Sequence, residues 1–137
     1  MSQENVEIVR RALDALNQSG VESIISSGLY SPEIVFDFSP AGIPGLGVYR
    51  GYDGIRAFEE DWFGAFPFEE WEIEVEELID HRDQVIAILR QRGRGASSGV
   101  VTEIDFVSVN TLRGGAVART EFYLDRKQAL EAAGLRE

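Results

Sequence analysis

Asp37 is the residue of this sequence best suited to act as an acid–base catalyst. It lies in the apolar segment VFDFSP, and a carboxyl group that is buried among aromatic rings has a raised pKa and can act as a general base. Two orientations are compatible with the sequence. If Phe36 and Phe38 point inward, Asp37 is an exposed charge. If Asp37 points inward, it is a catalytic base, and Tyr49 or Tyr52 could supply an acidic hydroxyl.

The residue types that most often hold metal ions are scarce in this chain. It contains no cysteine, and His81 is its only histidine, so the usual zinc ligand sets cannot be assembled. The acidic residues between Glu69 and Asp80 alternate with apolar ones, which is typical of the solvated face of a strand. We therefore expect neither a metal ion nor a cofactor.

The charge balance excludes several classes of partner. The 137 residues include 13 Lys and Arg against 24 Asp and Glu, a formal charge of −11, which repels nucleic acids and anionic membranes. The N-terminus lacks the layout of a signal peptide, and no apolar run approaches the roughly 18 residues that cross a bilayer. The sequence predicts one cytoplasmic domain over residues 1–137, with no nucleic-acid or membrane partner.

Hydrophobic periodicity divides the chain into a helical half followed by a strand-rich half. Apolar residues at spacings of three and four predict helices over 2–17, 21–27 and 53–66. Two prolines and four glycines between residues 39 and 51 predict an irregular loop. Alternating residues then predict an antiparallel meander. The other expected elements are a strand at 34–36, meander strands from 71 to a turn at 80–83, at 85–94, at 100–112 and at 117–124, and a last helix at 126–133.

Charge predicts how the first hairpin of the meander pairs. Glutamates alternate with apolar residues along its first strand, so one face of the strand is solvated. A bulge at Glu76-Glu77 would place Glu72 opposite Arg90 and Glu70 opposite Arg92. The charged side chains then pair on the outer face of the sheet, and the apolar side chains face inward.

The inward side chains, together with the aromatic stripe of the third helix, predict a cavity. Its predicted apolar walls are Phe58, Trp62, Phe66, Trp71, Leu89, Phe106 and Phe122, and its polar points are Gln91, Ser108, Asn110 and Thr120. Ser108 and Asn110 either hydrogen-bond to each other or contact a ligand. Gln91 is either solvated at the hairpin edge or turned toward the ligand. Such a lining suits a small, neutral, mainly apolar molecule.

Three segments carry a resemblance to a known family. ENVEIVRRALDALNQSGVESI, VYRGYDGIRAFEEDWFGAF and TLRGGAVARTEFYLDRKQAL resemble the SnoaL-like branch of the nuclear transport factor 2-like superfamily. The resemblance implies an α+β fold, a cone-shaped barrel with N-terminal helices packed in the concave face of a curved, mostly antiparallel sheet. It also implies an apolar pocket in the mouth of the cone and a homodimer formed through the outer face of the sheet.

The resemblance extends to few of the catalytic residues of related enzymes. Asp37 matches the base of ketosteroid isomerase, but Ala12 and Ser108 stand where that family has its tyrosine and its second acid. The acid and arginine positions of limonene epoxide hydrolase fall near Leu89 and Gln91 and on Phe122. What the resemblance implies is a pocket that lacks most of the functional groups of these enzymes.

Three functions follow from these observations. The first is a protein that binds a small apolar molecule without chemistry. The second is a lyase, isomerase or hydrolase that acts on a polyketide-like or terpenoid-like substrate with Asp37 as general base. The third is a non-catalytic dimerisation module. We also expect a homodimer, since Val107, Val109 and Tyr123 would otherwise be exposed on the outer face of the sheet.

Overall fold

The computed structural model describes residues 2–135, which form four α-helices and six β-strands. The helices are α1 (Ser2–Ser19), α2 (Val21–Ser26), α3 (Gly51–Ala65) and α4 (Arg126–Ala132). The strands are β1 (Tyr30–Asp37), β2 (Val48–Arg50), β3 (Trp71–His81), β4 (Gln84–Arg94), β5 (Val101–Arg113) and β6 (Ala116–Tyr123). Short 3-10 helices at Ser39–Ala41 and Phe68–Glu70 connect them.

The strands form one curved, open sheet in the order β2-β1-β6-β5-β4-β3. Among these neighbouring strands of residues 2–135, only β1 and β6 are parallel, because the chain leaves β1 and returns to it after the whole meander. Helices α1, α2 and α3 pack against the concave face through a core that includes Val9, Ile24, Ile34 and Ile55. The predicted α+β cone is confirmed.

The segment between residues 39 and 51 contains more regular structure than the sequence predicts. Strand β2 pairs with β1, with Arg50 opposite Val35 and Val48 opposite Asp37. Gly42, at a φ of 66°, reverses the chain after the first 3-10 helix. The prediction of an irregular loop is therefore wrong, since a three-residue strand between glycines is too short to show alternation. β1 also begins four residues earlier than predicted, at Tyr30.

The β3–β4 hairpin confirms the predicted bulge and corrects the predicted register. The register shifts between Val75 and Glu77, which is where the doubled glutamate predicts a bulge. The pairs are Glu72 with Arg92 and Glu74 with Arg90, two residues away from the predicted ones. The turn is tighter than predicted, because His81 already pairs with Gln84. A shift of two residues leaves every side chain on its predicted face.

The outer, convex face of β3, β4 and β5 carries a ladder of ion pairs. Arg90 Nε donates to Asp105 Oδ1 at 2.8 Å, and Arg94 Nε lies 3.0 Å from Glu70 Oε2. Arg92 pairs with Glu103 of β5. Because these pairs are largely exposed to water, each contributes little to stability. The predicted placement of the charges on the outer face is correct.

Helix α4 covers the other end of the convex face. Val107, Val109 and Tyr123 are buried there against Ala129 and Leu130 of α4. We expected these three residues to be exposed and to form a dimer interface, and that expectation is wrong. Their side chains do point outward, but the last helix of the same chain folds over them.

Asn17, near the end of α1, binds the backbone of the edge strand β3. Its Nδ2 donates to the carbonyl oxygen of Ile73 at 2.7 Å, and its Oδ1 accepts from the Ile73 N–H at 2.8 Å. The carboxamide therefore occupies the position that a neighbouring strand would take. It fixes α1 over β3, which together form one side of the cone.

Candidate functional site

A cavity of about 110 Å³ lies between the helices and the concave face of the sheet. One water molecule takes up about 10–15 Å³ of a cavity volume measured in this way. The cavity therefore has room for roughly ten waters, or for a molecule of one or two rings. Its wall is formed by α1, α3 and the inward side chains of the sheet, among them Leu13, Leu16, Phe36, Phe38, Ile55, Ile73 and Ile104. The lining is almost entirely apolar.

Most of the side chains predicted to line the cavity do lie on its wall. They are Phe58, Trp62, Trp71, Leu89, Gln91, Phe106, Ser108, Asn110, Thr120 and Phe122. Phe66 does not line the cavity, whereas Phe63, three residues earlier in the chain, does. The reason is that α3 ends at Ala65 and Phe66 adopts an extended conformation, with φ at −131°. Its ring therefore leaves the helical stripe and packs against Trp62, 5.1 Å away.

The inward positions predicted for Trp62 and Phe122 also predict that both side chains are buried, but in the structure both are half-buried. Both rings border the cavity, so part of their surface is open to it. The predicted inward direction of Phe122 is correct, because its ring stacks on Phe38 with centroids 4.0 Å apart. Their exposed area is therefore available to a ligand.

The side chains of β1 resolve the two orientations that the sequence allows for Asp37. Phe36 and Phe38 point into the cone, where each ring contacts Phe58 and Phe122. Asp37 points the other way and does not line the cavity. Its use as a base inside the pocket is therefore not supported by this geometry.

Asp37 forms an ion pair on the convex face. Arg119 Nη2 donates to its Oδ2 at 2.9 Å, and the N–H of Ser39 donates to its Oδ1 at 2.9 Å. Burial acts to raise the pKa of Asp37, but hydrogen bonding from Ser39 and the charges of Arg119 and Arg50 outweigh it, so the pKa is lower than usual. The carboxylate stays ionised at neutral pH and holds the end of β1 to β6.

We expect Asp37→Asn to lower the free energy of unfolding by about 1 kcal/mol at pH 7. Because the pKa of Asp37 is lower in the folded state than in the unfolded state, its contribution is present at neutral pH and is lost as the pH falls through the folded-state pKa. Urea unfolding of both proteins over a pH series measures this. Glu33→Gln, an exposed carboxylate on the same strand, serves as the control. An effect of Asp37→Asn that does not shrink in acid would contradict the assignment.

Three polar side chains on the cavity wall satisfy one another. Asn110 Nδ2 donates to Ser108 Oγ and to the Val85 carbonyl oxygen, both at 3.1 Å. Thr120 Oγ1 donates to Asn110 Oδ1 at 2.9 Å. Of the two alternatives for Ser108 and Asn110, mutual hydrogen bonding is the one the structure contains. This network joins β4, β5 and β6 and makes one wall of the cavity rigid.

Gln91 and Trp71 differ from that network because their donors have no protein partner. Both line the cavity and are buried, with 4% and 8% of their surface exposed. Within residues 2–135, neither Gln91 Nε2 nor Trp71 Nε1 has a hydrogen-bond partner. Solvation of Gln91 at the hairpin edge is therefore wrong, because it lies between Ile73 of β3 and Ile104 of β5.

Among residues 2–135, Glu59 is the only charged side chain that lines the cavity. Its Oε2 accepts from the N–H of Val21 at 2.5 Å. Gly20, with φ at 81°, makes this approach possible, since a Cβ there would lie 2.8 Å from Oε2. The apolar stripe of the third helix predicts that Glu59, Glu60 and Asp61 lie on its solvated side, and for Glu59 this prediction is wrong. The spacing of Ile55, Glu59 and Trp62 by four and three residues is the signal that could have identified it.

Tyr30 also lines the cavity, whereas the sequence predicts that it lies in the connection before the strand at 34–36. Burial raises the pKa of its phenol, and the nearby charge of Glu59 raises it further. The hydroxyl is therefore protonated at neutral pH. Tyr49 and Tyr52, the two tyrosines considered from sequence, are not on the cavity wall. The hydroxyl of Tyr52 donates to the backbone oxygen of Tyr30 at 2.7 Å.

The described part of the chain contains neither a cluster of metal ligands nor a helix that could span a membrane. Among residues 2–135, no three His, Asp or Glu side chains form a group that could hold a metal ion. In the same range, no helix combines the length and the apolar character that a membrane span requires.

Solved structures with the same fold cover nearly the whole chain. A protein from Jannaschia sp. CCS1 with the provisional designation of SnoaL-like polyketide cyclase is 23% identical, with a TM-score of 0.75, and the match covers 96% of this chain and 92% of that one. TerC, co-crystallised with polyporic acid, is 22% identical, with a TM-score of 0.76 and coverage of 96% and 98%.

A protein with a ketosteroid isomerase-like fold from Catenulispora acidiphila, in complex with trimethylamine, is 13% identical, with a TM-score of 0.72 and coverage of 94% and 93%. At these identities the likeness concerns the fold. No protein with curated annotation matches the sequence. The model of the SnoaL-like domain matches residues 9–120, most of the chain, and the protein therefore belongs to the SnoaL-like domain family.

Proposed function

We propose that the cavity binds a small, neutral, mainly apolar molecule. The observation that carries this proposal is the wall itself, in which aromatic and aliphatic side chains surround a few neutral amides and hydroxyls. Apolar contact with such a wall supplies most of the affinity of a small ligand. The volume of about 110 Å³ favours one or two rings in the enclosed part, with any larger portion extending through the mouth.

Electrostatics argue against an acidic ligand. Glu59 is already present on the cavity wall, and no Arg, Lys or His of the described residues lines this wall. An anion would have to give up its hydration without a counter-ion, which is costly. The net charge of −11 adds a long-range repulsion. Uncharged aromatic or alicyclic molecules fit these conditions.

Trp62→Ala tests the binding proposal. A thermal-shift screen over steroids, terpenoids, polyketide fragments, organic amines and organic acids identifies the most stabilising neutral compound. We expect Trp62→Ala to weaken its binding by about 2–3 kcal/mol, roughly 30- to 150-fold, because the indole contributes apolar contact area. Phe68→Ala is the matched control, since Phe68 packs on Phe63 outside the cavity wall. Stabilisation by acids or amines alone would contradict the proposal.

A second candidate function is acid–base catalysis on a polyketide-like or terpenoid-like substrate by a lyase, isomerase or hydrolase. The name of the Jannaschia relative favours substrates of this kind. The observation in this chain is Glu59, a carboxylate on an apolar wall beside the protonated phenol of Tyr30. We infer that Glu59, and not Asp37, is the base of any such reaction. Glu59→Gln should then abolish turnover that Asp37→Asn retains.

We also propose a homodimer formed through the part of the convex face that α4 leaves open. That surface holds the ion-pair ladder of Arg90, Arg92 and Arg94, whose charges could pair across a two-fold axis. Such an interface should weaken as salt screens it. Sedimentation equilibrium at low and high ionic strength measures this. A monomer at micromolar concentration in low salt would exclude the dimer.

A further inference from the structure

The two unpaired donors of the cavity, Gln91 Nε2 and Trp71 Nε1, have no obvious structural purpose. A buried N–H without an acceptor loses its hydration and gains nothing in exchange, so such groups are rare in folded proteins. Leucine and phenylalanine would fill the same positions without that cost. Two such groups on one wall of one cavity indicate a hydrogen-bonding partner that comes from outside the chain.

The pairing of β3 and β4 brings the two donors to the same region of the wall. Trp71 lies opposite Gly93, and Gln91 is two residues away on the same inward face. A Cβ at Gly93 would lie 3.2 Å from Trp71 Cδ1. Since Cδ1 is bonded to Nε1, the N–H edge of the indole is turned toward β4, the strand that carries Gln91.

Other side-chain acceptors on the concave side of the sheet already receive hydrogen bonds from the protein. The carboxamide of Asn17 is bound to the backbone of Ile73, and the oxygen of the Asn110 carboxamide accepts from Thr120. Glu59, the only charged acceptor that the described residues place on the wall, receives its hydrogen bond from Val21 on the opposite, helical side. Within residues 2–135, no protein group therefore accepts a hydrogen bond from Gln91 Nε2 or Trp71 Nε1.

We propose that Gln91 and Trp71 form a binding site for the carbonyl oxygen of an uncharged ring compound, such as a ketone, a quinone or a lactone. This inference rests on the proposed binding function and adds the polar group of the ligand. A carbonyl oxygen has two lone pairs and no proton, so it matches two donors. A hydroxyl group would bring a proton that needs an acceptor of its own. A carboxylate would carry a charge that this cavity does not neutralise.

Three ligands of nearly equal shape test the proposal. They are 1-indanone, its alcohol 1-indanol and its hydrocarbon indane, each small enough for the cavity. Isothermal titration calorimetry with the wild-type protein should show that 1-indanone binds at least about tenfold more tightly than indane. In the infrared spectrum, the carbonyl stretch of bound 1-indanone should move to lower frequency than in an apolar solvent, because its oxygen accepts hydrogen bonds.

Matched variants assign the effect to the two donors. Gln91→Leu removes the NH₂ group of the carboxamide and Trp71→Phe removes the indole N–H. Both keep most of the side-chain volume, so each should reduce the preference for 1-indanone and leave the affinity for indane nearly unchanged. Gln84→Leu is the control, because Gln84 lies on the same strand, hydrogen-bonds to Thr111 and is outside the cavity wall. It should leave the preference intact.

Stability gives a readout that does not depend on the ligand. Gln91→Leu should raise the melting temperature, because it removes an unpaired buried amide, whereas Gln84→Leu should lower it or leave it unchanged. Equal affinities for 1-indanone and indane in the wild type would overturn the carbonyl site while leaving apolar binding in place. If none of the three compounds binds, the proposed function fails and the carbonyl site fails with it.

Discussion

Phe36→Ala should lower the free energy of unfolding by about 3–5 kcal/mol, the usual cost of removing a buried phenyl ring. Phe36 is 7% exposed, and its ring meets those of Tyr30, Phe58 and Phe122 edge-on at centroid distances of 5.2–5.8 Å. These rings belong to β1, α3 and β6. Removal of the phenyl ring therefore leaves a void at the point where the helices contact the sheet.

Urea unfolding followed by circular dichroism measures this loss. Phe36→Leu is the informative control, since it keeps much of the volume and should cost clearly less than the alanine variant. Because the void opens into the cavity, the alanine variant should also bind apolar probes with a different size preference. The affinity for larger rings should rise relative to the affinity for smaller ones. A loss below about 1 kcal/mol for Phe36→Ala would show that the ring cluster is not a stabilising core.

Asn17→Ala should lower the free energy of unfolding by about 2 kcal/mol. The substitution removes two hydrogen bonds of 2.7 and 2.8 Å, each of which contributes about 1 kcal/mol. It also separates α1 from the edge strand β3, so hydrogen exchange at Ile73 should become faster.

Gln18→Ala is the matched control for Asn17→Ala. Gln18 is the exposed neighbour of Asn17 on the same helix, so its truncation should change stability by less than about 0.5 kcal/mol. Asn17→Asp adds a second comparison, because the carboxylate retains an acceptor for the Ile73 N–H but has no donor for the Ile73 carbonyl oxygen. The free energy of unfolding of Asn17→Asp should lie between those of the wild type and the alanine variant only at a pH low enough to protonate the new carboxylate.

The parts of the fold that sequence could predict are those with a long, one-sided pattern. Alternation of glutamates with apolar residues identified β3, because one face of this eleven-residue strand is exposed to solvent. The doubled glutamate identified its bulge. The three-residue strand β2 could not be predicted, because three residues are too few to show an alternation of apolar and polar side chains. The register of β3 on β4 was wrong by two residues because a tight turn leaves no composition signal of its own.

The cavity wall could be predicted for the same reason, and its charged group could not. Inward parity on four strands identified eight of the wall residues, and the helical spacing of Phe58 and Trp62 on α3 identified two more. Phe66 was misplaced because the helix ends one residue before it. Glu59 was missed because a glutamate next to other acids is typical of a solvated face, and only the tertiary contact with Val21 reveals its direction. The orientation of Asp37 was open because apolar residues flank it on both faces.

The parallel pairing of β1 with β6 has a consequence for the order of folding. It brings together segments that are far apart in the chain, and even the ion pair of Asp37 and Arg119, which links the two strands, spans 82 positions. In contrast, β3, β4, β5 and β6 pair with their neighbours in sequence. Long-range pairing requires the closure of a large loop before any contact compensates for the lost chain entropy. The meander should therefore form first, and β1 should dock on β6 late. Since Phe36 and Phe38 arrive with β1, a ligand that needs them would bind only to fully folded chains and would slow unfolding without speeding folding.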